Sequence, residues 1–177
     1  TGMEIGLYRD LAVGADREGS EVWRDRKAVL SSVSIGAPPD LFTSQGQNWR
    51  LPPLDPVRLK IDGLHAFRNL VRSNMRHAGA IRIDHAFQLE RLYLIPTGAR
   101  ADAGAYVNYP FQAMLACLRI ESHRANALVI AEDLGTAPPG YSRSIIGSGL
   151  LSSRVMLFER DASRGFLPPA NYARQAL

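Results

Sequence analysis

Ala80-Ile81-Arg82-Ile83-Asp84 and Ala127-Leu128-Val129-Ile130-Ala131-Glu132 are two short apolar runs that each end in a carboxylate. The second run is nearly continuous, which is typical of a strand covered on both faces of a parallel sheet. A stretch with helical spacing separates the runs, so we expect two neighbouring parallel strands. The carboxyl ends of such strands lie at one edge of the sheet, and this edge carries the active site in parallel barrels. The sequence therefore predicts that Asp84 and Glu132 lie close together.

The rest of the chain repeats the alternation of strand and helix. Asp62 suits a helix N-cap and Gly79 a helix stop, and a second helix is predicted to open with Pro110 in its first turn. The alternation predicts an α/β fold with a parallel sheet, and nothing in residues 1–177 marks a second domain. The other predicted elements are strands at residues 5–13 and 154–158 and a short helix at residues 141–146.

Residues 31–56 are rich in proline and glycine, and the sequence predicts a long irregular loop there. A loop of this length inside a compact domain is usually functional or disordered. This one contains Phe42, Trp49 and Leu51, which are apolar side chains that can anchor a loop. We therefore expect an ordered, functional loop.

Composition limits the classes of protein that fit. The chain has 177 residues, of which 46% are hydrophobic and 21% charged, as expected of one globular domain. No apolar run is long enough to cross a membrane, and Thr1-Gly2-Met3-Glu4 does not resemble a signal peptide. The single cysteine, Cys117, suits a reducing compartment and is expected to be a buried, inert thiol, so a cytoplasmic location is predicted.

Charge and histidine spacing point to no further class of ligand. The net charge is +4, but the arginines are scattered among acidic residues, so nucleic-acid binding is not predicted. His65, His77 and His123 have no metal-ligand spacing with acidic residues or Cys117, so neither a metal nor a cofactor is expected.

A pair of carboxylates is the equipment that glycoside cleavage needs. On the first strand, alternation places Arg82 and Asp84 on one face, where the arginine would help to keep a nucleophilic Asp84 ionised. Glu132 follows an apolar strand and would hold a proton as the acid/base. A simpler interpretation also fits each part: Arg82 and Asp84 could form a structural ion pair, and residues 132–135 could be a helix cap and turn.

Several segments together resemble the 4-alpha-glucanotransferases (amylomaltases, or disproportionating enzymes). The matching segments follow the family's order over almost the whole chain, so the resemblance does not depend on one motif. They are residues 6–14 (GLYRDLAVG), 35–42 (IGAPPDLF), 46–49 (GQNW), 51–53 (LPP), 74–79 (NMRHAG), 82–85 (RIDH), 104–107 (GAYV) and 132–136 (EDLGT).

The resemblance implies part of a (β/α)8 barrel of the alpha-amylase clan, roughly its strands three to six. It also implies transfer of α-1,4-glucan segments by a retaining double displacement, on malto-oligosaccharides and longer glucans. Asp84 matches the family's nucleophile and Glu132 its general acid/base. The residues matching those that hold the nucleophile and the sugar are Arg82 and His85, and those matching the loop that covers the substrate are Asp40, Gln47 and Trp49.

The chain also departs from the family pattern. Gln88 and Arg50 stand where the family usually has glycine. The family's third acidic residue follows on a later strand, and residues 170–177 resemble the helix just before it. An internal fragment with unpaired sheet edges is therefore expected to be marginally stable or to self-associate. An inactive glucan-binding fragment and a hydrolase of the same clan stay open as alternatives, whereas a nucleotide-binding fold lacks its G-x-G-x-x-G motif.

Overall fold

The computed structural model describes residues 2–135 and 137–171, in which two four-stranded sheets share one hydrophobic core. The strands are β1 (Tyr8–Leu11), β2 (Val33–Ala37), β3 (Gln47–Asn48), β4 (Ala80–Ile83), β5 (Arg91–Pro96), β6 (Ala105–Asn108), β7 (Leu128–Ala131) and β8 (Leu151–Ser152). The α-helices are α1 (Ser20–Arg24), α2 (Pro56–Ile61), α3 (His65–Met75), α4 (Phe111–Ala125) and α5 (Tyr141–Gly147). Short 3-10 turns occupy Arg26–Ala28, Ala86–Leu89, Ala101–Ala103, Met156–Phe158 and Pro169–Asn171.

The first sheet is parallel throughout, with the strand order β1-β4-β7-β8. Its two central strands confirm the predictions at 80–84 and 127–131, and β1 is a shorter version of the predicted strand at 5–13. Ile81 and Ile83 of β4 are fully buried, whereas Arg82 between them is only partly buried. Burial therefore alternates over residues 81–83 as the sequence predicts, whereas the small Ala80 before them is buried as well.

Helices α3 and α4 are the crossover helices between the parallel strands, and they pack against each other. Asp62 accepts a hydrogen bond from the His65 N–H at 3.0 Å and so caps the start of α3, as predicted. The helix ends at Met75, four residues earlier than a stop at Gly79 would place it. The prediction for α4 was also off by one position, because Pro110 is its N-cap and precedes the first helical residue.

The second sheet is antiparallel, with the order β3-β2-β5-β6, and it corrects the prediction of a long irregular loop at 31–56. β2 and β3 lie in that segment and pair across a turn that contains Gly46 at φ 70°. β2 is held on its other side by β5, which begins 54 residues after β2 ends in the sequence. Pairing between such distant segments leaves no local signal, and prolines and glycines obscure the strand pattern.

The predicted strand at 154–158 is wrong. The fourth strand of the parallel sheet is β8 at Leu151–Ser152, and Met156–Phe158 forms a 3-10 turn closed by local hydrogen bonds. The apolar side chains of Val155–Phe158 are 41–62% exposed, so their hydrophobicity does not mark a buried strand here. The short helix predicted at 141–146 is confirmed as α5. Of the predicted helix at 170–177, residues 172–177 lie outside the described residues, and so does Thr136 of the 132–136 motif.

Within the residues that the structure describes, no helix is both long and apolar enough to cross a bilayer. Cys117 is buried in α4, as predicted, and burial raises the pKa of its thiol. At the edge of the parallel sheet, Ile5, Leu7 and Tyr8 are more than half exposed.

Gly36 provides a direct test of the antiparallel sheet. A Cβ atom at this position would lie 2.1 Å from the Gln47 carbonyl oxygen and 2.6 Å from Cδ1 of Ile95. We expect Gly36→Ala to lower the free energy of unfolding by about 1–3 kcal/mol, because the strands must separate to admit the methyl group. Urea unfolding measures this change. The control is Gly147→Ala at the end of α5, where a Cβ meets nothing within 4 Å. If both substitutions changed the free energy of unfolding equally, the close approach of β2 and β3 would be contradicted.

Candidate active site

The parallel register brings Asp84 and Glu132 to adjacent positions at the carboxyl edge of the sheet. Ile83, the last residue of β4, is paired with Ala131, the last residue of β7, so that each carboxylate comes one residue after the paired ends. The backbone pairing continues beyond the strands, because the Glu132 N–H donates to the Ile83 carbonyl at 3.0 Å. The neighbouring strand ends predicted from the sequence are therefore confirmed.

Arg82 forms ion pairs with two carboxylates. Its Nη2 lies 2.9 Å from Oδ1 of Asp84, and its Nη1 lies 2.7 and 2.9 Å from the two carboxylate oxygens of Asp10. Burial by itself disfavours the guanidinium charge, but the hydrogen bond to Asp10 and the charges of Asp10 and Asp84 raise the pKa of Arg82 above its ordinary value. Arg82 is therefore a fixed positive charge beside Asp84.

Asp10 is a site residue that sequence reasoning missed. It lies on β1, directly opposite Arg82 in the parallel register. A signal was available, because β1 was predicted as a parallel strand and Asp10 is a carboxylate near its carboxyl end. Which residue of β1 faces Arg82, however, depends on a register that the sequence does not specify.

Both carboxylate oxygens of Glu132 accept backbone hydrogen bonds. Oε2 accepts from the His85 N–H at 3.0 Å and Oε1 from the Leu134 N–H at 2.8 Å. The main-chain carbonyl of Glu132 also accepts from the Ala86 N–H at 2.8 Å. The residue that ends one strand therefore anchors the turn that follows the neighbouring strand.

His85 lies in that turn with φ at 46°, in the left-handed region that residues other than glycine seldom adopt. Its ring is held edge-on between two aromatic rings, with centroids 5.2 Å from Trp49 and 5.6 Å from Phe87. Burial lowers the pKa of His85, although the nearby charges of Glu132 and Asp84 act in the opposite direction. The imidazole is therefore held in its neutral form near neutral pH.

The structure joins two of the three predicted loop residues to the site. Trp49 contacts His85, and its indole N–H donates to Oε1 of Gln47 at 3.0 Å. Asp40 is not joined to the site in this way. Its Oδ1 accepts hydrogen bonds from the N–H groups of Phe42 and Thr43 and so stabilises the turn that begins at Asp40. None of the hydrogen bonds described for Asp40 reaches the strand ends.

The two departures from the family pattern have different structural settings. Arg50 has φ at 60°, in the left-handed region where glycine carries no steric cost. Gln88 is 9% exposed, and its amide nitrogen donates to the backbone carbonyl of Asp84 at 2.7 Å. Gln88 therefore supports the backbone of the site. From the sequence, Gln88 could be identified only as a departure from the glycine that the family usually has.

Two further residues tie the site to elements around it. The buried Tyr141 on α5 donates its hydroxyl to the carbonyl of Ala86 at 2.5 Å, and Ser152 on β8 donates to Oδ1 of Asp133 at 2.6 Å. A buried tyrosine requires a hydrogen-bond partner, but the sequence does not say which one. Among the described residues, no group of three or more His, Cys, Asp and Glu could hold a metal ion.

Comparison with known proteins gives one family. A family model described as 4-alpha-glucanotransferase matches residues 1–177. A curated relative, the 4-alpha-glucanotransferase of Mycobacterium tuberculosis, is 42% identical over 164 residues, which cover 93% of this chain and 23% of the relative. The 4-alpha-glucanotransferase of Haemophilus influenzae is 48% identical over 138 residues, covering 78% of this chain and 20% of the relative.

Solved structures give the same result. The amylomaltase from Corynebacterium glutamicum superposes with a TM-score of 0.93 at 36% identity, over 99% of this chain and 25% of that chain. An amylomaltase from Streptococcus agalactiae, solved in complex with acarbose, gives a TM-score of 0.83 over 97% of this chain and 36% of its own, at 22% identity, which supports the fold alone. The chain thus spans less than a quarter of the length of each of these two curated relatives.

The burial of His85 predicts a dependence of stability on pH. Because burial lowers its pKa below the ordinary 6.5, the unfolded chain binds the proton more readily than the folded one. The buried neutral imidazole therefore makes its full contribution to the free energy of unfolding above pH 6.5. This contribution is lost as the pH falls through the lower pKa that His85 has in the folded state. Urea unfolding of the parent and of His85→Gln between about pH 5 and pH 8 isolates this contribution as a difference. Parallel pH profiles for the two proteins would contradict it.

Proposed function

The chain belongs to the 4-alpha-glucanotransferase family, and from this we propose that it carries the catalytic carboxylate pair of an enzyme that transfers α-1,4-glucan segments to an acceptor glucose or glucan. The observation that carries the proposal is the pairing of Asp84 and Glu132 at adjacent strand ends, with Arg82 bound to Asp84. Since the chain spans less than a quarter of the length of the two curated relatives described above, the activity is proposed for the complete protein.

We propose that the parallel sheet is the third to sixth strands of a (β/α)8 barrel. Supporting this, β1, β4 and β7 are all parallel and are joined through α3 and α4, as in a barrel. β1 is an edge strand with exposed apolar neighbours at Ile5 and Leu7, which further strands would cover. Residues 1–177 would then be one segment of the catalytic barrel, and the antiparallel sheet would be formed by β2 and β3 between its third and fourth strands together with β5 and β6 between its fourth and fifth.

In the proposed reaction, a carboxylate oxygen of Asp84 attacks the anomeric carbon and forms a covalent glycosyl-enzyme. Glu132 donates its proton to the glycosidic oxygen as that bond breaks, and the new chain end departs as an alcohol. Glu132 then accepts the proton of the acceptor's 4-hydroxyl, whose oxygen attacks the same carbon and restores the Asp84 carboxylate. Two inversions give net retention. The family's third carboxylate is expected from the complete protein.

The structure supports these roles in two ways. The Asp84 side chain is 38% exposed, so its carboxylate is accessible while Arg82 fixes its orientation. Backbone N–H groups bind both oxygens of Glu132 and so fix its carboxyl group, and each oxygen keeps a second lone pair that can carry the proton given to the substrate. Glu132 can therefore donate and take back a proton while it stays anchored.

We also propose that residues 38–49 cover the bound glucan and favour transfer over hydrolysis. Leu41 and Phe42 project from this segment at 101% and 95% exposure, and Trp49 at its base contacts His85. Aromatic faces stack on sugar rings, and a cover that excludes water gives an acceptor hydroxyl the advantage in the second step. Asp40 would act by holding the turn that presents Phe42.

The substrates in this proposal are malto-oligosaccharides and α-1,4-glucans, and no cofactor takes part. A cytoplasmic location is also part of the proposal, and it rests on the single cysteine of the chain.

The first test is incubation of the complete protein with maltotriose. The parent should form longer malto-oligosaccharides together with glucose, and Asp84→Asn should abolish this, because the amide cannot form the glycosyl-enzyme. The matched control is Asp102→Asn, which removes an exposed carboxylate outside the site. Chromatography of the products gives the answer. Glucose without longer products would favour a hydrolase, and transfer that survives Asp84→Asn would overturn the nucleophile assignment.

Glu132→Gln tests the acid/base separately. An α-glucosyl fluoride needs no protonation of its leaving group, so the variant should still release fluoride in the first step. The second step should then be slow, because no base activates the acceptor. Added azide, which needs no base, should restore turnover and give the α-glucosyl azide. A β product, or no effect of azide, would contradict the proposed role of Glu132.

Trp49→Ala tests the covering segment. If Trp49 stacks on the glucan, maltoheptaose binding should weaken about tenfold, which is about 1.4 kcal/mol. Trp23→Ala is the matched control, since Trp23 is the other tryptophan of the chain and is 75% exposed on α1. Isothermal titration of variants that also carry Asp84→Asn, in which the glucan is not converted, measures the affinity, and a thermal melt measures the stability. A lowered melting temperature with unchanged affinity would show that Trp49 is only a loop anchor.

A further inference from the structure

The turn Asp84-His85-Ala86 leaves the central strand inside the molecule, and its backbone N–H groups all have partners. The Asp84 N–H donates to the Leu11 carbonyl at 2.9 Å, and the Ala86 N–H donates to the Glu132 carbonyl at 2.8 Å. The His85 N–H donates to the Glu132 carboxylate at 3.0 Å. The acceptors of these three bonds belong to Leu11 of β1 and to Glu132, which directly follows β7. The three N–H groups of the turn are therefore held by the strands on either side of β4.

The three carbonyls of the turn take their hydrogen bonds from elsewhere. The His85 carbonyl accepts from the Gln88 N–H at 2.9 Å, which is an ordinary bond of the 3-10 turn. The carbonyls of Asp84 and Ala86 also accept from two side chains, the amide of Gln88 at 2.7 Å and the hydroxyl of Tyr141 at 2.5 Å. Ala86 is fully buried, and its carbonyl also takes part in the backbone bonding of the 3-10 turn Ala86–Leu89, so the Tyr141 hydroxyl is a second donor that ties this carbonyl to α5.

Tyr141 is fixed in place by its packing. It is 1% exposed on α5, its ring stacks on Phe111 of α4 at 5.6 Å, and it meets Phe87 edge-on at 5.0 Å. Burial raises the pKa of its hydroxyl, and the charges of Asp133, Glu90 and Glu132 raise it further, so the group stays a hydrogen-bond donor.

The left-handed conformation of His85 makes this support necessary. Residues other than glycine seldom adopt that conformation, and it persists only where surrounding bonds hold it. If His85 left the left-handed conformation, the chain would leave β4 in another direction. The side chain of Asp84, which directly precedes His85, would then point differently. Gln88 and Tyr141 bond to the carbonyls on either side of His85.

We propose that Gln88 and Tyr141 are positioning residues that hold the nucleophile turn, so that Asp84 keeps the orientation needed for attack on the anomeric carbon. This inference rests on the proposed function of Asp84. Neither residue touches substrate in this proposal; each acts through a backbone carbonyl of the turn.

Tyr141→Phe tests the proposal with one atom removed and the ring packing retained. Tyr93→Phe is a matched control, because Tyr93 is also buried and also donates its hydroxyl to a backbone carbonyl, that of Ala101, at 2.8 Å in the antiparallel sheet. A loss of general stability should therefore be similar in the two variants. Gln88→Met removes the second side-chain donor while keeping the length of the side chain.

In the complete protein, we expect Tyr141→Phe and Gln88→Met each to lower kcat for maltotriose disproportionation about tenfold at unchanged KM, because small displacements of a reacting group are costly. Tyr93→Phe should leave kcat unchanged. Hydrogen–deuterium exchange gives a readout that does not depend on activity: peptides covering residues 84–90 should exchange faster in the two site variants and not in Tyr93→Phe.

Each outcome has a defined consequence. If Tyr141→Phe and Tyr93→Phe have the same kcat, the positioning role is overturned. If the parent protein shows no transfer at all, the proposed function fails, and the exchange experiment still decides the structural part. In that case, unchanged exchange of residues 84–90 in Tyr141→Phe would overturn the support of the turn as well.

Discussion

The turn that follows the central parallel strand at Asp84 becomes fully buried at Ala86, and backbone N–H and C=O groups that are removed from water must find hydrogen-bond partners. Glu132 is the partner of two of these groups, because it accepts from Ala86 through its main chain and from His85 through its side chain. The two carboxylates proposed for catalysis are therefore not independent neighbours. A displacement of the Glu132 strand end would also displace the turn that follows Asp84.

Arg82 extends this coupling to a third strand. A single guanidinium contacts Asp84 on its own strand and Asp10 on β1, so the strand order β1-β4-β7 corresponds to a row of groups Asp10, Asp84 and Glu132 at one edge. The structural ion pair that the sequence left open as a simpler interpretation does exist. It does not compete with the functional interpretation, because the same contact orients the carboxylate that is proposed as the nucleophile.

The sequence predicted what depends on local signals. β4 and β7 are apolar runs that end in charged residues, and from this pattern the adjacent positions of Asp84 and Glu132 were predicted correctly. The short helix α5 was also predicted correctly. The antiparallel sheet was missed because its register depends on contacts between distant segments. The strand predicted at 154–158 failed for the opposite reason, since a strongly apolar run lies exposed in a turn. Asp10 and Tyr141 were missed because each acts on a partner more than 50 residues away.

A row of aromatic rings links the covering segment to the helices behind the site. Trp49 contacts His85, His85 contacts Phe87, and Phe87 contacts Tyr141, with successive centroids 5.0–5.6 Å apart. Close-packed rings transmit displacement because the interior has little free space. A movement of Trp49 when a glucan binds would therefore press on His85, the residue next to Asp84, and Tyr141 at the far end would resist it. In this arrangement the turn that follows Asp84 lies between the segment proposed to cover the glucan and α5, whose Tyr141 is fixed in the core.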